Sequence, residues 1–315
     1  MCTGIYFKDD NNNLYVGRNL DIPGDYHEHP IIMPKGYKIN YRYLPTQTAS
    51  YAVIGMGVNI DDYPLFFDSM NENGLSIMGL EFTGKNFYSS YEKNDVINLA
   101  SFELPLYLLQ NCQSINDVKD LVLKINITNI NFNEHLTTQA LHWMISDDKS
   151  SVVLESTISG IHLYNNDVGV LTNSPEFPWH IENLNNYINL VPQERKTTMW
   201  GKHKLTADFI GSGSLGLPGD TSSPARFVKA AYINTHYPIQ QNEHSNVARL
   251  FNTLKAVSRP LGTVKLSNGE LDRTVYSCCY SSKTKTYYYN FVNDYEVKLI
   301  SLNNTNSIGK HIINL

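Results

Sequence analysis

The residues with the greatest chemical potential stand at the start of the chain. Cys2 follows Met1, and Gly17-Arg18-Asn19-Leu20-Asp21 comes soon after. Once Met1 is removed, Cys2 carries a thiol and a free α-amine on one residue. Their reference pKa values are roughly 8.5 and 7.7–8.0, so near neutral pH part of the amine is unprotonated and can act as a base for the thiol. A cysteine at position two carries little weight alone. Further along come the turn Leu171-Thr172-Asn173-Ser174-Pro175 and the run Gly219-Asp220-Thr221-Ser222-Ser223-Pro224-Ala225-Arg226-Phe227. Each of these also has a bland reading: Asp21 and Asn173 as turn formers, Arg226 as a cover for an exposed helix turn.

Other motifs resolve into structure. Gly211-Ser212-Gly213-Ser214-Leu215-Gly216 matches the dinucleotide pattern letter for letter. That pattern needs a helix opening within it, and Leu217-Pro218-Gly219 blocks one, so it is a loop. His27-Glu28-His29 lacks a third ligand nearby and gives no metal site. Cys278 and Cys279, adjacent on a strand, point to opposite faces and cannot easily pair. Tyr287-Tyr288-Tyr289 reads as a strand with aromatics on both faces.

The elements that must position Cys2 begin with a hairpin. Thr3 to Phe7 and Leu14 to Gly17 are extended, and the cluster Asp9-Asp10-Asn11-Asn12-Asn13 joins them, so the second strand returns Arg18 and Asp21 toward Cys2. Strands follow at Tyr51 to Val58, Pro64 to Asp68 and Leu75 to Leu80. Leu99 to Gln110 has helical spacing, with Pro105 implying a kink or break. Ser114 caps a helix through Ile125, with Asp117 three residues on. A second strand block covers Leu141 to Ser146, Ser151 to Ser156, Gly160 to Tyr164 and Val168 to Leu171. Trp179 to Leu190 is helical. Ser223 as N-cap and Pro224 at the first helical position start a helix that places Arg226 in its first turn, and another helix spans Ser245 to Val257. Strands near Thr274 to Ser281, Thr286 to Val292 and Glu296 to Leu302 close the chain. Strand blocks interleaved with helix pairs imply an α+β fold, two mostly antiparallel sheets packed face to face with helices outside. The absence of a linker or repeat gives a single domain over residues 1–315, and Val191 to Gly219, long and without periodicity, reads as an oligomer contact.

Composition narrows the function classes. Among 315 residues, 42% are hydrophobic and 17% charged, as in ordinary globular proteins. A formal charge of −5 disfavours a nucleic-acid partner. No apolar run is long enough for a membrane span or a secretory signal, so the expectation is a cytoplasmic protein with its four cysteines reduced. No cofactor or metal is expected.

Taken together, the chain resembles the choloylglycine hydrolase family, N-terminal-nucleophile (Ntn) hydrolases that include conjugated bile salt hydrolases and penicillin V acylases. The resemblance spans nearly the whole chain: Met1-Cys2-Thr3, Gly17 to Asp21, Tyr63-Pro64-Leu65-Phe66-Phe67-Asp68, Asn71-Glu72-Asn73-Gly74-Leu75, Leu141-His142-Trp143, Leu171 to Pro175, and Leu217 to Asp220 with Ser223 to Phe227. It implies a four-layer αββα Ntn-hydrolase sandwich, a homotetramer with contacts through the Val191–Gly219 loop, and removal of Met1. It further implies Cys2 as nucleophile, Arg18 and Asp21 beside its thiol and amine, Asn173 as an oxyanion donor, and Arg226 as a charge near the site. General chemistry suits these roles: a cation favours a thiolate, a carboxylate can hold an amine, and an amide can donate to an oxyanion.

One position departs from the pattern. Where bile salt hydrolases carry Asn and penicillin V acylases Tyr, this chain has Glu81 in Gly79-Leu80-Glu81-Phe82. Its backbone N–H can still serve the oxyanion, but a carboxylate there is unfavourable beside an oxyanion or anionic leaving group unless turned away or paired. Segments Gly17 to Asp21, Tyr63 to Leu65 and Ala100-Ser101-Phe102-Glu103 resemble the bile salt hydrolase branch, which implies conjugated bile salts as substrate. Penicillin V or other N-acyl amides such as acyl-homoserine lactones are the alternative within the class, and a non-catalytic bile-acid-binding homologue is the alternative outside it.

Overall fold

A computed structural model describes residues 1–315. The chain opens with the hairpin β1 (Cys2–Lys8) and β2 (Leu14–Ile22), followed by β3 (His29–Met33), the short β4 (Lys38–Ile39) and β5 (Gln47–Thr48), then β6 (Val53–Ile60), β7 (Tyr63–Asn71), β8 (Ser76–Glu81) and β9 (Ile97–Ala100). Helices α1 (Leu104–Asn111) and α2 (Ile115–Val122) precede β10 (Ile125–Thr128), β11 (Leu141–Ser146), β12 (Ser151–Thr157), β13 (Gly160–Asn165) and β14 (Val170–Leu171). Next are α3 (Phe177–Asn183), the small hairpin β15 (Thr198–Trp200) and β16 (His203–Leu205), α4 (Ser223–His236) and α5 (Glu243–Ala256). The chain ends with β17 (Val264–Lys265), β18 (Leu271–Ser281), β19 (Thr286–Phe291), β20 (Lys298–Ser301) and β21 (Ile313–Asn314).

Two large antiparallel sheets dominate. One has seven strands, ordered β14-β1-β2-β18-β19-β20 with β17 on β18; the other has eight, ordered β13-β12-β11-β8-β7-β6-β3-β21. Period-two alternation gives each sheet two apolar faces. The inner faces meet in a core that includes Val16, Leu20, Met56, Met70, Met78, Met144, Tyr276 and Tyr280. Outside the eight-stranded sheet, Leu104, Leu108, Ile115 and Val118 of α1 and α2 pack on Ile77, Trp143, Ile145 and Val152. Outside the other sheet, Val247, Leu250 and Leu254 of α5 pack on Ile5, Tyr15 and Cys279. The layers are therefore α, β, β, α, and no helix is long and apolar enough to cross a membrane.

Several local expectations need correction. Leu99 and Ala100 belong to strand β9, paired in parallel with β10, so the run breaks before Pro105, which stands in the first turn of α1. Proline lacks the N–H that the first helical turn leaves unpaired, so that position tolerates it. The cap of α4 is Ser222, whose hydroxyl accepts from the Ala225 N–H, not Ser223. Helix α5 starts at Glu243, capped by Asn242, slightly before the expected start. His29 begins a strand, and the 191–219 stretch contains the hairpin β15–β16. The Ser114–Asp117 capping box of α2 is present in both directions.

Two bulges bear on the site. Pairing of β6 with β7 shifts between Met56↔Asp68 and Gly57↔Phe66, so Phe67 is the extra residue. Pairing of β2 with β18 shifts between Asp21↔Thr274 and Leu20↔Tyr276, leaving Val275 as the extra one. A bulge re-aims neighbouring groups out of the ladder. Next to Arg18, β2 also approaches β18 too closely for a side chain: a Cβ on Gly17 would lie 1.9 Å from the Cys278 carbonyl oxygen. Gly17→Ala should therefore force the two strands apart and cost about 1–3 kcal/mol, the usual range for overpacking. A urea denaturation midpoint equal to that of the parent protein would refute this.

Candidate active site

Cys2, the first residue of β1, is buried. Three side chains from distant segments converge on its three polar atoms. An Arg18 Nη2–H donates to the sulfur. The Arg226 Nη1 donates to the Cys2 carbonyl oxygen at 2.5 Å. The Cys2 N–H donates to Asn173 Oδ1 at 2.9 Å. The hairpin alone brings Arg18 close, because Gly4↔Arg18 and Cys2↔Leu20 are cross-strand partners. The other two arrive through the tertiary fold.

Arg18 is fully buried, and its remaining donors meet backbone carbonyls: Phe67 at 3.0 Å, Gly79 at 2.6 Å and Asn19 at 3.3 Å. The first of these belongs to the bulged residue of β7. The second is exposed because β7 pairs with β8 only as far as Met78. Beyond that point the odd-numbered residues of β8 turn their backbone groups into the site, while Phe82 N–H keeps the ladder with Ala140 at 2.8 Å. Burial works against the Arg18 charge, but the Cys2 sulfur, Tyr276 and Asp68 outweigh it and raise its pKa. Asp68 lies behind, accepting from Tyr276, from Tyr287 at 3.0 Å and Tyr280 at 3.2 Å, and from the Cys278 thiol at 3.4 Å. Burial raises the Asp68 pKa, with Arg18, Tyr276, Tyr287 and the Cys278 thiol opposing.

Asn173 is held by its environment in one amide orientation. Its Oδ1 receives Cys2 N–H and the Arg226 Nη2–H at 2.6 Å, and its Nδ2 donates to the Glu81 carbonyl at 2.9 Å. One Nδ2 hydrogen remains. The turn behind it is clamped from several sides. Ser223 Oγ accepts from Asn173 N–H and donates to its carbonyl, both at 2.9 Å. His180 Nε2 donates to that carbonyl at 2.8 Å, and His142 spans Thr172 O and Glu155 Oε1 at 3.0 Å each. Burial lowers the His180 pKa to about 4.

Arg226 ties these parts together. It also reaches Thr3 Oγ1 at 2.5 Å and the Thr221 carbonyl at 3.1 Å, and lies 3.8 Å from Asp21 Oδ2. Burial lowers its pKa to about 10, so it stays charged near neutral pH. Asp21 Oδ1 accepts from Thr274 Oγ1 at 2.7 Å, a contact set up by the β18 bulge, while its buried Oδ2 has no hydrogen-bond donor. The Met1 ammonium meets the Asp21 backbone carbonyl and lies 3.4 Å from Glu81 Oε2. Glu81 also accepts from Thr83 Oγ1 at 2.7 Å. Burial opposes its ionisation, and Thr83 with the ammonium outweighs that, so its pKa is lowered. The carboxylate is thus paired rather than aimed at Cys2.

All six sequence candidates, Cys2, Arg18, Asp21, Glu81, Asn173 and Arg226, therefore lie together. Missed were Ser223 as a brace rather than a cap, His180, the His142–Glu155 pair, Thr274, Asp68 and the buried Arg259, which donates to the Thr221 carbonyl at 2.7 Å and lies against Met1 Sδ. His142, Asp68 and Ser223 stand inside motifs that carry the resemblance; the others have no local signal.

The model of the linear amide C–N hydrolases, choloylglycine hydrolase family, matches residues 2–312. The chain is 45% identical over 303 residues to conjugated bile acid hydrolase of Lactobacillus gasseri, covering 96% of each. It superposes with a TM-score of 0.93 and 32% identity on a mutant conjugated bile acid hydrolase from Clostridium perfringens, covering 100% of this chain and 96% of that one. Penicillin V acylase from Agrobacterium tumefaciens, at 19% identity and a TM-score of 0.77 over 99% of this chain and 90% of that one, shares the fold. A first strand that carries Cys2 with Arg18, Asn173 and Arg226 around it, and a match along almost the whole sequence, lead to one conclusion: the chain belongs to the choloylglycine hydrolase family of linear amide C–N hydrolases.

Proposed function

We propose that this chain hydrolyses the amide bond of bile salts conjugated to glycine or taurine, with Cys2 as nucleophile after Met1 is removed. The observation that carries the reading is the convergence of Arg18, Arg226 and Asn173 on the sulfur, carbonyl and nitrogen of one residue. The names of the relatives supply the acid.

In this mechanism the Cys2 α-amine takes the thiol proton and the thiolate attacks the amide carbon, forming the S–C bond. The Arg18 guanidinium sits against the sulfur, and the open Oδ2 of Asp21 serves as acceptor for the added amine protons. The oxyanion meets the free Asn173 Nδ2 hydrogen and the Glu81 N–H, which the β8 ladder turns into the site. Collapse breaks the C–N bond as the α-ammonium returns its proton to the leaving amine. Water, losing a proton to the amine, then cleaves the thioester and restores the thiol.

The same reading keeps a cytoplasmic location and a homotetramer built through the 191–219 loop. Exposed Met199, Trp200, Phe209 and Ile210 support that contact surface.

Processed protein should release glycine or taurine from conjugated bile salts, and Cys2→Ser or a variant that retains Met1 should not; amino-acid release with intact-mass measurement checks both. Turnover by the Met1-retaining form would remove the α-amine from the mechanism. Asn173→Ala should reduce kcat about a hundred-fold or more, as for other oxyanion donors, and an unchanged kcat would exclude it. His180 adds a pH dependence. Its folded pKa of about 4 lies below the unfolded reference of roughly 6.5, so the stability it contributes is complete above about 6.5 and is lost as pH falls toward 4. The loss should reach roughly 3 kcal/mol and be reduced in His180→Gln, which keeps a donor for the Asn173 carbonyl. Denaturation midpoints with the same pH slope in both proteins would overturn this.

A further inference from the structure

The contacts of Met1 describe a space beside the nucleophile that becomes vacant on processing. A cation, the Met1 ammonium, is seated there between the Asp21 carbonyl and Glu81 Oε2. The side chain of the same residue lies against an anion-binding group: Met1 Sδ is 3.5 Å from Arg259 Nη2. Arg259 is buried; its Nη1 meets Asp272, its Nε has no partner, and its Nη2 also donates to the Thr221 carbonyl at 2.7 Å, so loss of Met1 frees the remaining Nη2–H facing the space. In the mechanism above, the leaving amine departs next to the Cys2 nitrogen, to which Met1 is attached. The vacated space is therefore where the amine portion of the substrate sits.

Resting on that hydrolase reading, we propose that Glu81 and Arg259 form a subsite for amino acids with a cationic side chain, so that the preferred conjugates are amides of the same acids with lysine-like amino acids. The carboxylate of the departing amino acid takes the freed Arg259 N–H, and its side-chain ammonium takes the place of the Met1 ammonium against Glu81. Opposite charges are thereby matched at both ends of the amino acid. Glycine and taurine fill only the Arg259 end and leave the Glu81 carboxylate with Thr83 but without a cationic partner. The side chain of Glu81 is partly open to solvent, at 45% exposure, which moderates the attraction.

The experiment compares kcat/KM of processed protein for the cholic acid amides of lysine, joined through its α-amine, norleucine and glycine, in wild type and Glu81→Gln. Norleucine matches the lysine chain without its charge. The lysine-to-norleucine ratio should be about fivefold or more in wild type, the upper end for a partly exposed ion pair, and fall to near one in Glu81→Gln. A wild-type ratio near one overturns the proposal, as does a high ratio that persists in Glu81→Gln. Release of glycine alone also overturns it and leaves the hydrolase reading standing. No release from any of the three amides removes both.

Discussion

The site depends on one buried cation. Arg226 has left water at the N-terminal turn of α4, and a buried guanidinium is tolerated only where acceptors surround it. Its acceptors are the Cys2 carbonyl, Thr3 Oγ1, Asn173 Oδ1 and the Thr221 carbonyl, with Asp21 as the nearby anion. Those acceptors come from the first strand, the turn after β14 and the loop before α4. Satisfying one guanidinium therefore fixes the Cys2 backbone, the Asn173 amide and the Asp21 carboxylate relative to one another. Because Arg226 occupies Asn173 Oδ1, it also turns Asn173 Nδ2 toward Glu81 and the reaction side.

The sheets provide the remaining precision by being irregular where it matters. Regular ladders would consume the backbone groups that Arg18 and Asn173 need. Instead, β7 stops pairing at Met78 and bulges at Phe67, which frees the carbonyls of Phe67, Gly79 and Glu81. The second bulge, at Val275, brings Thr274 to Asp21. Behind Arg18, the hydroxyls of Tyr276, Tyr280 and Tyr287 cross between the sheets to Asp68, so the aromatic strands serve as core and as hydrogen-bond donors together.

Legibility in the sequence followed the range of the interactions. The β1–β2 hairpin, the capping box of α2 and the opposite facing of Cys278 and Cys279 rest on local rules of alternation and capping, and the structure has them. Errors occurred where two readings share a local pattern. Leu99 and Ala100 sit in an apolar run that suits helix or strand alike, and pairing with β10 decided for the strand. Ser222 and Ser223 are both acceptable caps before a proline. The hydroxyl of Ser223 is taken by Thr172 and Asn173 across the fold, which leaves the cap to Ser222.

By itself the sequence determined the chemistry available at the site: a thiol at position two, the cation and carboxylate that the hairpin must return beside it, and the ordered segments that identify the family. Residue type and short-range geometry suffice for those. Only the tertiary structure decided how the groups are used. The Asp21 carboxylate faces Arg226 and Thr274 while its backbone carbonyl holds the Met1 ammonium, Glu81 meets that ammonium and Thr83 while Met1 is present, and Arg259 stands behind Met1. Each of those assignments depends on which buried donor reaches which acceptor first among segments far apart in the chain, and no local pattern encodes that competition.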